Sequence, residues 1–193
     1  MKFQKEIAPI IPSKEMITGE PSAPLQLVMF GDYESEACAR ANEVVAKLLK
    51  DYEGKMNFVF RHFPLTRLHQ KAHKAAEAAI GAGQEGKFWD MHQYLFQHRR
   101  SLGIISLKSY AREVGVQDKK FLDNLINSYY GWHVQDDLRE GLSLGVTDIP
   151  VFFINDIRFE KEPTLKNFTA HFDALLEQQA SHSVKRMKEK KRA

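Results

Sequence analysis

The sequence predicts an α/β fold interrupted by an all-helical block, and three observations carry that expectation. An apolar strand, an amphipathic helix and a second apolar strand follow one another between residues 25 and 62. This is a βαβ unit, whose crossover is expected to be right-handed. Residues 66–143 then show repeated helical periods and almost no strand signal. After Pro150 two short apolar runs flank Asn155-Asp156 and predict a hairpin, with one more helix to follow.

Taken in order, residues 1–24 carry polar punctuation and prolines, among them Pro12, Pro21 and Pro24, and read as a short lead strand and a loop. Leu25-Gln26-Leu27-Val28-Met29-Phe30 reads as a buried strand. The next helix places Ala37, Ala41, Val44, Val45, Leu48 and Tyr52 at helical spacing and ends at Gly54. Met56 to His62 is strand-like, and Pro64 closes it. Leu68, Ala72, Ala75, Ala76 and Ala79 mark one helix of the block, and Phe88 to Phe96 a second. Ser106 to Val114 reads as a third, with Gly115 as its stop. Asp118 caps a fourth through Tyr130, and Trp132 to Leu144 forms a fifth. Val151 to Ile154 and Ile157 to Phe159 are the hairpin strands. Thr164 opens a last helix through about Gln178, with Leu165, Phe168, Phe172 and Leu175 inward. The expected organisation is a body of residues 1–64 plus 145–178, an insertion of 65–144, and a basic flexible tail of 179–193, without internal repeats.

Composition narrows the classes. A chain of 193 residues fits one domain with an insertion, and 13 phenylalanines supply a well-filled core. No apolar run approaches the roughly 20 residues of a membrane span. Met1-Lys2-Phe3-Gln4-Lys5-Glu6 has no apolar stretch after its charges, so no signal peptide is read and the cytoplasm is expected. The net charge of +3 is unevenly spread. Lys185, Arg186, Lys188, Lys190, Lys191 and Arg192 stand against Glu189, giving the end +5 and the rest −2. The mildly acidic body offers no nucleic-acid surface; only the tail has the charge to touch nucleic acid or anionic lipid.

The chemistry centres on Phe30-Gly31-Asp32-Tyr33-Glu34-Ser35-Glu36-Ala37-Cys38-Ala39-Arg40. A strand runs into a turn that opens a helix, and Ser35 and the only cysteine, Cys38, stand three apart. That is the spacing of a Cys-x-x-Cys redox pair. At a helix mouth a thiolate is stabilised by free N–H groups and the helix dipole. A second Cys one turn on resolves the mixed disulfide. With Ser at position 35 the attacking sulfur is gone, and a hydroxyl does not ionise without a general base. Ser35 also suits the helix N-cap. Cys38 is either a small buried hydrophobe or a monothiol that forms mixed disulfides. Glu36 beside it tends to raise the thiol pKa.

This motif resembles the DsbA-like branch of the thioredoxin superfamily, whose usual form is Phe-x-Asp-Phe/Tyr-x-Cys-Pro-x-Cys. Asp32, Tyr33, Cys38 and Ala39 match; Ser35 and Glu36 replace the first Cys and the Pro. Gly145-Val146-Thr147-Asp148-Ile149-Pro150-Val151-Phe152-Phe153-Ile154-Asn155 resembles the family's cis-proline segment. Arg61-His62-Phe63-Pro64-Leu65 and His69 through Trp89 resemble its strand end and the start of its helical insertion. The match covers roughly residues 25 to 175.

The resemblance implies a thioredoxin-like fold with a helical insertion, a cis Pro150 facing the active-site turn, and an Ile149 backbone that pairs with a bound thiol peptide. The site it implies is Ser35 and Cys38 as the reactive pair, with Ile149, Pro150, Glu36 and Ala37 against substrate. The implied function is that of a thiol–disulfide oxidoreductase family member with a degenerate Ser-x-x-Cys centre. Monothiol exchange or binding of thiols, including glutathione as co-substrate, replaces dithiol turnover. Its partners are thiol-bearing peptides, proteins or glutathione; no resident cofactor is implied.

Two alternatives stand beside this. Kappa-class glutathione transferases share the fold and use a Ser at a similar place, so Ser35 can be read as holding a glutathione thiolate. A non-catalytic module that holds peptide beside Pro150 is the other. The remaining polar residues get plain readings. His69 and His73 are a surface pair on one helix face; with His62 and His92 they lack the spacing of a metal site. Trp89 and Trp132 are helical-block core or cleft rim, and Asp32 is either a buried carboxylate tuning Cys38 or a turn residue after the strand, the turn being the preferred reading.

Overall fold

The computed structural model describes residues 10–190. After a single 3-10 turn at Ser13–Glu15 come β1 (Ile17–Gly19) and β2 (Leu25–Gly31), then α1 (Glu36–Asp51) and β3 (Met56–His62). The helical insertion follows as α2 (Ala72–Gly83), α3 (Phe88–Gln97), α4 (Ile104–Glu113), α5 (Phe121–Ile126) and α6 (Gly131–Ser143). The chain returns to the sheet in β4 (Val151–Ile154) and β5 (Ile157–Arg158) and ends in α7 (Leu165–Lys190). The sheet order is β1-β3-β2-β4-β5; β2 and β3 are parallel, and every other pair is antiparallel.

Strand periodicity decides what each face holds. Leu25, Leu27 and Met29 of β2 stand opposite Met56, Phe58 and Phe60 of β3, in register and on one face. Against this face pack Val45 and Leu48 of α1 and Phe168 and Phe172 of α7, all but closed to solvent. The same cluster continues into the insertion through Ala75, Ala78 and Ala79 of α2 and Met91 and Leu95 of α3. Body and insertion therefore share one core. Each fully buried Phe or Leu contributes about 1.5–3 kcal/mol from area removed from water. The alanines of α2 keep that helix close to its neighbours.

The other sheet face carries Phe30, Val151 and Phe153, joined by Phe63 and Val146. Here α6 crosses at its closest point through Gly141, where an added Cβ would lie 2.7 Å from the Phe63 ring. An ion network holds this crossing. Asp137 of α6, 2% exposed, accepts from Arg61 Nε at 2.7 Å and from the His62 backbone N–H at 2.9 Å, and also from the Ser13 hydroxyl. Glu140 takes the other face of the Arg61 guanidinium at 2.6 and 3.0 Å.

Several expectations shift in detail. The first insertion helix begins at Ala72, so Leu68 and His69 precede it, and Leu68 is 76% exposed. The fourth helix stops at Ile126 rather than Tyr130, because Ser128 adopts φ 52°, a left-handed conformation that ends the helix. Trp132 is neither core nor covered rim: it is 76% exposed on the first turn of α6. The last helix continues to Lys190, into the stretch read as a flexible tail; residues 191–193 lie outside the described residues, as do residues 1–9 of the lead segment. The lead strand is β1, on the sheet edge. The Asn155-Asp156 turn has φ of 48° and 66°, the mirror-type turn that a two-residue hairpin requires.

Two stability predictions follow from these buried groups. Asp137→Ala leaves Glu140 as the remaining carboxylate on Arg61 and leaves the His62 N–H unpaired, so a loss of about 1–3 kcal/mol is expected in urea unfolding. The second concerns pH. Burial lowers the His62 pKa to about 4 and the His92 pKa to about 3. Above about pH 6.5 both rings are neutral folded or unfolded, and stability is at its full value. As pH falls below that, the unfolded chain takes up protons that the folded chain refuses until about pH 4 and about pH 3. The urea midpoint is therefore expected to drop steeply between about pH 6.5 and 4, and His92→Gln to make that drop shallower. A flat profile would contradict neutral buried imidazoles.

Candidate functional site

The site forms where β2 ends and α1 begins. Ser35 is the N-cap of α1. Its Oγ accepts from the Cys38 N–H at 3.2 Å, and its carbonyl accepts from Ala39 N–H at 3.1 Å. One side chain thus satisfies a donor that the helix leaves open. Cys38 sits one turn in, 0% exposed, and its sulfur packs against the end of β2. An added Cβ at Gly31 would lie 2.9 Å from that sulfur, so a glycine is needed there for strand and thiol to pack.

Burial pushes the Cys38 thiol up to about 12. The Ser35 hydroxyl and the Asp32 N–H both favour the thiolate but do not outweigh burial, and the Asp32 carboxylate adds a further upward push. At pH 7 only roughly one such thiol in 10⁵ is ionised. The opposing charge is thus Asp32, not Glu36 as the sequence suggests. Glu36 points outward, its side chain 62% exposed, and its carboxylate bridges Arg40 at 2.8 Å and Arg99 at 3.1 Å.

Asp32 is more than a turn residue. It is 2% exposed and its carboxylate receives four donors. Oδ1 accepts from the N–H groups of Glu34 (3.1 Å) and Ser35 (2.8 Å). Oδ2 accepts from the Leu65 N–H (3.1 Å) and meets His69 Nδ1 at 2.7 Å. Glu34 adds a second tie, accepting from the Lys71 N–H at 2.7 Å. The turn is therefore fastened to the segment that enters the insertion.

The expected surface pair of histidines does not form. His69 is outside α2 and pairs with Asp32, while His73 pairs with the buried Glu77 at 3.2 Å. His92 lies beneath the site. Held neutral, it accepts from the Tyr33 hydroxyl at Nδ1 (3.1 Å) and donates from Nε2 to Asn42 Oδ1 (2.9 Å). Tyr33 is wholly buried among the rings of Phe60, His62, His92 and Phe96 at centroid distances of 4.9–5.7 Å. A polar chain thus links β2, α3 and α1 under the turn. Trp89 is half-buried on the core.

The Ile149–Pro150 peptide bond is cis. Pro150 and Ala37 line one groove of about 600 Å³, whose walls are α1 (Ala37, Arg40, Ala41, Val44) and the segment Glu162–Leu165 that leads into α7. Ile149 packs its side chain between the two core clusters, and its backbone N–H and C=O make no backbone hydrogen bond among the described residues. Ser35 and Cys38 do not line the groove. Of the six site residues read from the sequence, Ala37 and Pro150 meet along the groove, whereas Ser35, Glu36, Cys38 and Ile149 do not line it. Sequence reading missed Arg99 and His69, which arrive from 63 and 37 positions away. The capping serine was visible; these long-range partners carry no local signal.

Comparison with known proteins agrees with this geometry. A family model described as Thioredoxin matches residues 12–174. Among solved structures, oxidised BdbD from Bacillus subtilis superposes with a TM-score of 0.78 at 22% identity, covering 86% of this chain and 96% of that one. A thioredoxin-like oxidoreductase from Silicibacter pomeroyi gives 0.72 at 24% identity, covering 83% and 91%. Among curated sequences, a Na(+)/H(+) antiporter NhaA 1 from Mycobacterium sp. (strain KMS) is 34% identical over 154 residues, 79% of this chain but 25% of that protein. The chain thus spans about a quarter of the length of such relatives, and the antiporter name describes proteins far longer than the matched part. With the family model spanning most of the sheet and the whole insertion, the chain belongs to the thioredoxin family and has the DsbA-like fold, a thioredoxin-like sheet with a helical insertion.

Proposed function

We propose that this protein is a redox-silent member of its family that binds extended, thiol-bearing polypeptide segments in the groove beside cis-Pro150. One observation carries the reading. The only thiol is 0% exposed, with its pKa pushed up to about 12 by burial, and the residue one turn earlier is a serine capping the helix. Dithiol turnover then lacks its nucleophile, and monothiol exchange lacks an accessible thiolate. What is left is the recognition surface: an apolar groove, a cis proline at its wall and the open backbone of Ile149. An extended peptide pairs with such a backbone edge through main-chain hydrogen bonds and gains affinity from apolar pockets.

Glutathione is a weaker candidate ligand than a peptide. The Ser35 residue is 5% exposed, and its oxygen is already engaged with the Cys38 N–H. A thiolate docked there would have to share that hydroxyl. The cytoplasm suits a chain with one buried, unpaired cysteine, because reducing conditions impose no demand for a disulfide.

The thiol test comes first. Native protein at pH 8 is expected to resist a thiol-alkylating reagent and oxidised glutathione, and to label fully once unfolded in urea. A mixed disulfide forming readily on the folded protein would restore the monothiol reading. Ser35→Cys is expected to give a variant that oxidises to an internal disulfide and reduces insulin, an activity the parent lacks. The groove test is fluorescence anisotropy with an extended apolar peptide containing one cysteine. Ala37→Arg, which narrows the groove without touching Cys38, is expected to weaken binding about tenfold or more, equivalent to about 1.4 kcal/mol. Cys38→Ala should leave binding unchanged.

A further inference from the structure

We infer that the groove selects segments carrying an acidic side chain, which docks on Arg40 and Arg99 after displacing the chain's own Glu36. The inference rests on the peptide-binding reading above and names the chemistry of its partner. Glu36 replaces the proline usual in this motif, and the structure places its carboxylate between two guanidiniums. Oε1 meets Arg40 Nη1 at 2.8 Å, and Oε2 meets Arg99 Nη2 at 3.1 Å. Two arginines from different elements, the first turns of α1 and the segment after α3, thus converge on one carboxylate. That is a carboxylate receptor with an internal ligand in place.

The receptor opens onto the groove. Arg40 is itself a wall residue beside Ala37, Ala41 and Val44. Arg99 continues the surface beyond the α1 mouth, next to the exposed Arg100. Arg40 lines the groove, and Arg99 is tied to Arg40 through the shared Glu36 carboxylate. Glu162 is the one acid lining the groove, and it belongs to the opposite wall. A segment lying along Pro150 therefore meets positive charge on its α1 side.

Displacement is cheap. The Glu36 and Arg40 side chains are 62% and 67% exposed, so solvent screens their i,i+4 pair. Arg99, at 22% exposed, is the more covered of the two arginines. An incoming carboxylate inherits the bidentate contacts, while Glu36 returns to water, where its hydration is restored. Glu36 then acts as a competitor that sets a threshold for ligands.

Three labelled peptides test this: one extended apolar sequence with Asp, Asn or Lys at its central position, titrated by anisotropy into the full chain. The Asp peptide is expected to bind about fivefold tighter than the Asn peptide, with the gap closing in high salt. Glu36→Gln should widen the gap between the Asp and Asn peptides about threefold. The double variant Arg40→Gln, Arg99→Gln should close that gap. Equal binding of Asp and Asn peptides, or tighter binding of Lys, overturns the acidic preference and leaves the groove reading intact. No binding of any of the three overturns both. Far-ultraviolet circular dichroism checks that each variant is folded, and all substitutions lie on exposed or half-exposed side chains.

Discussion

The turn that carries the site depends on one buried carboxylate. Asp32 lies at the end of β2 with 2% exposure, and four donors converge on it from two segments of chain. A carboxylate is admitted to a protein interior only when hydrogen bonds replace its water. Here the replacement comes from the turn itself, through Glu34 and Ser35, and from the entry to the insertion, through Leu65 and His69. Removing the side chain would free the turn and the insertion entry together. The fixed turn then sets the direction of α1, and with it the position of Ser35 as cap and of Cys38 as the residue turned inward.

That geometry explains the silence of the thiol better than the loss of a single sulfur does. A thiolate at the mouth of a helix is favoured by the dipole, and a residue three positions later has its own N–H near the cap. Cys38 takes the second position. Its sulfur is covered by Gly31 and the sheet, and desolvation outweighs the two donors that favour its anion. In a dithiol centre such a buried sulfur is useful, because it needs only to attack a disulfide formed by its outer partner. With Ser35 outside it, nothing brings an oxidant or a substrate within reach. The buried cysteine is left as a small apolar packing group.

Much of the fold was legible because it is periodic. The 2-residue alternation of Leu25, Leu27 and Met29 and the helical spacing along α1 and α7 fix which faces are apolar, and those faces are the ones buried. The Asn155-Asp156 hairpin was equally plain from turn chemistry. The misses fall where periodicity is silent. Leu68 carries a helical spacing but sits in a separate turn before α2, where its N–H and that of His69 bond to the Leu65 carbonyl and Asp32 fastens Leu65 and His69. Trp132 is exposed although its size suggests burial, because α6 turns Val134, Asp137 and Gly141 inward instead. At the site, the cap and the cis proline belong to local motifs. The Asp32–His69 pair and the Glu36–Arg99 contact join residues far apart in sequence, and only the folded chain brings them together.

The distribution of change across the site is itself informative. The residues that would perform redox chemistry, at positions 35 and 36, depart from the motif of the fold's oxidoreductases. The proposed peptide site does not share that departure: the bond before Pro150 is cis, a groove runs beside Ala37, and the Ile149 backbone makes no backbone hydrogen bond among the described residues. The groove's walls are continuous with the core: Ala41 belongs to the main buried cluster, and Val44 and Leu165 pack against it. An open apolar channel is an aggregation liability unless something covers it, and the peptide proposed above would cover this one without meeting the sealed thiol.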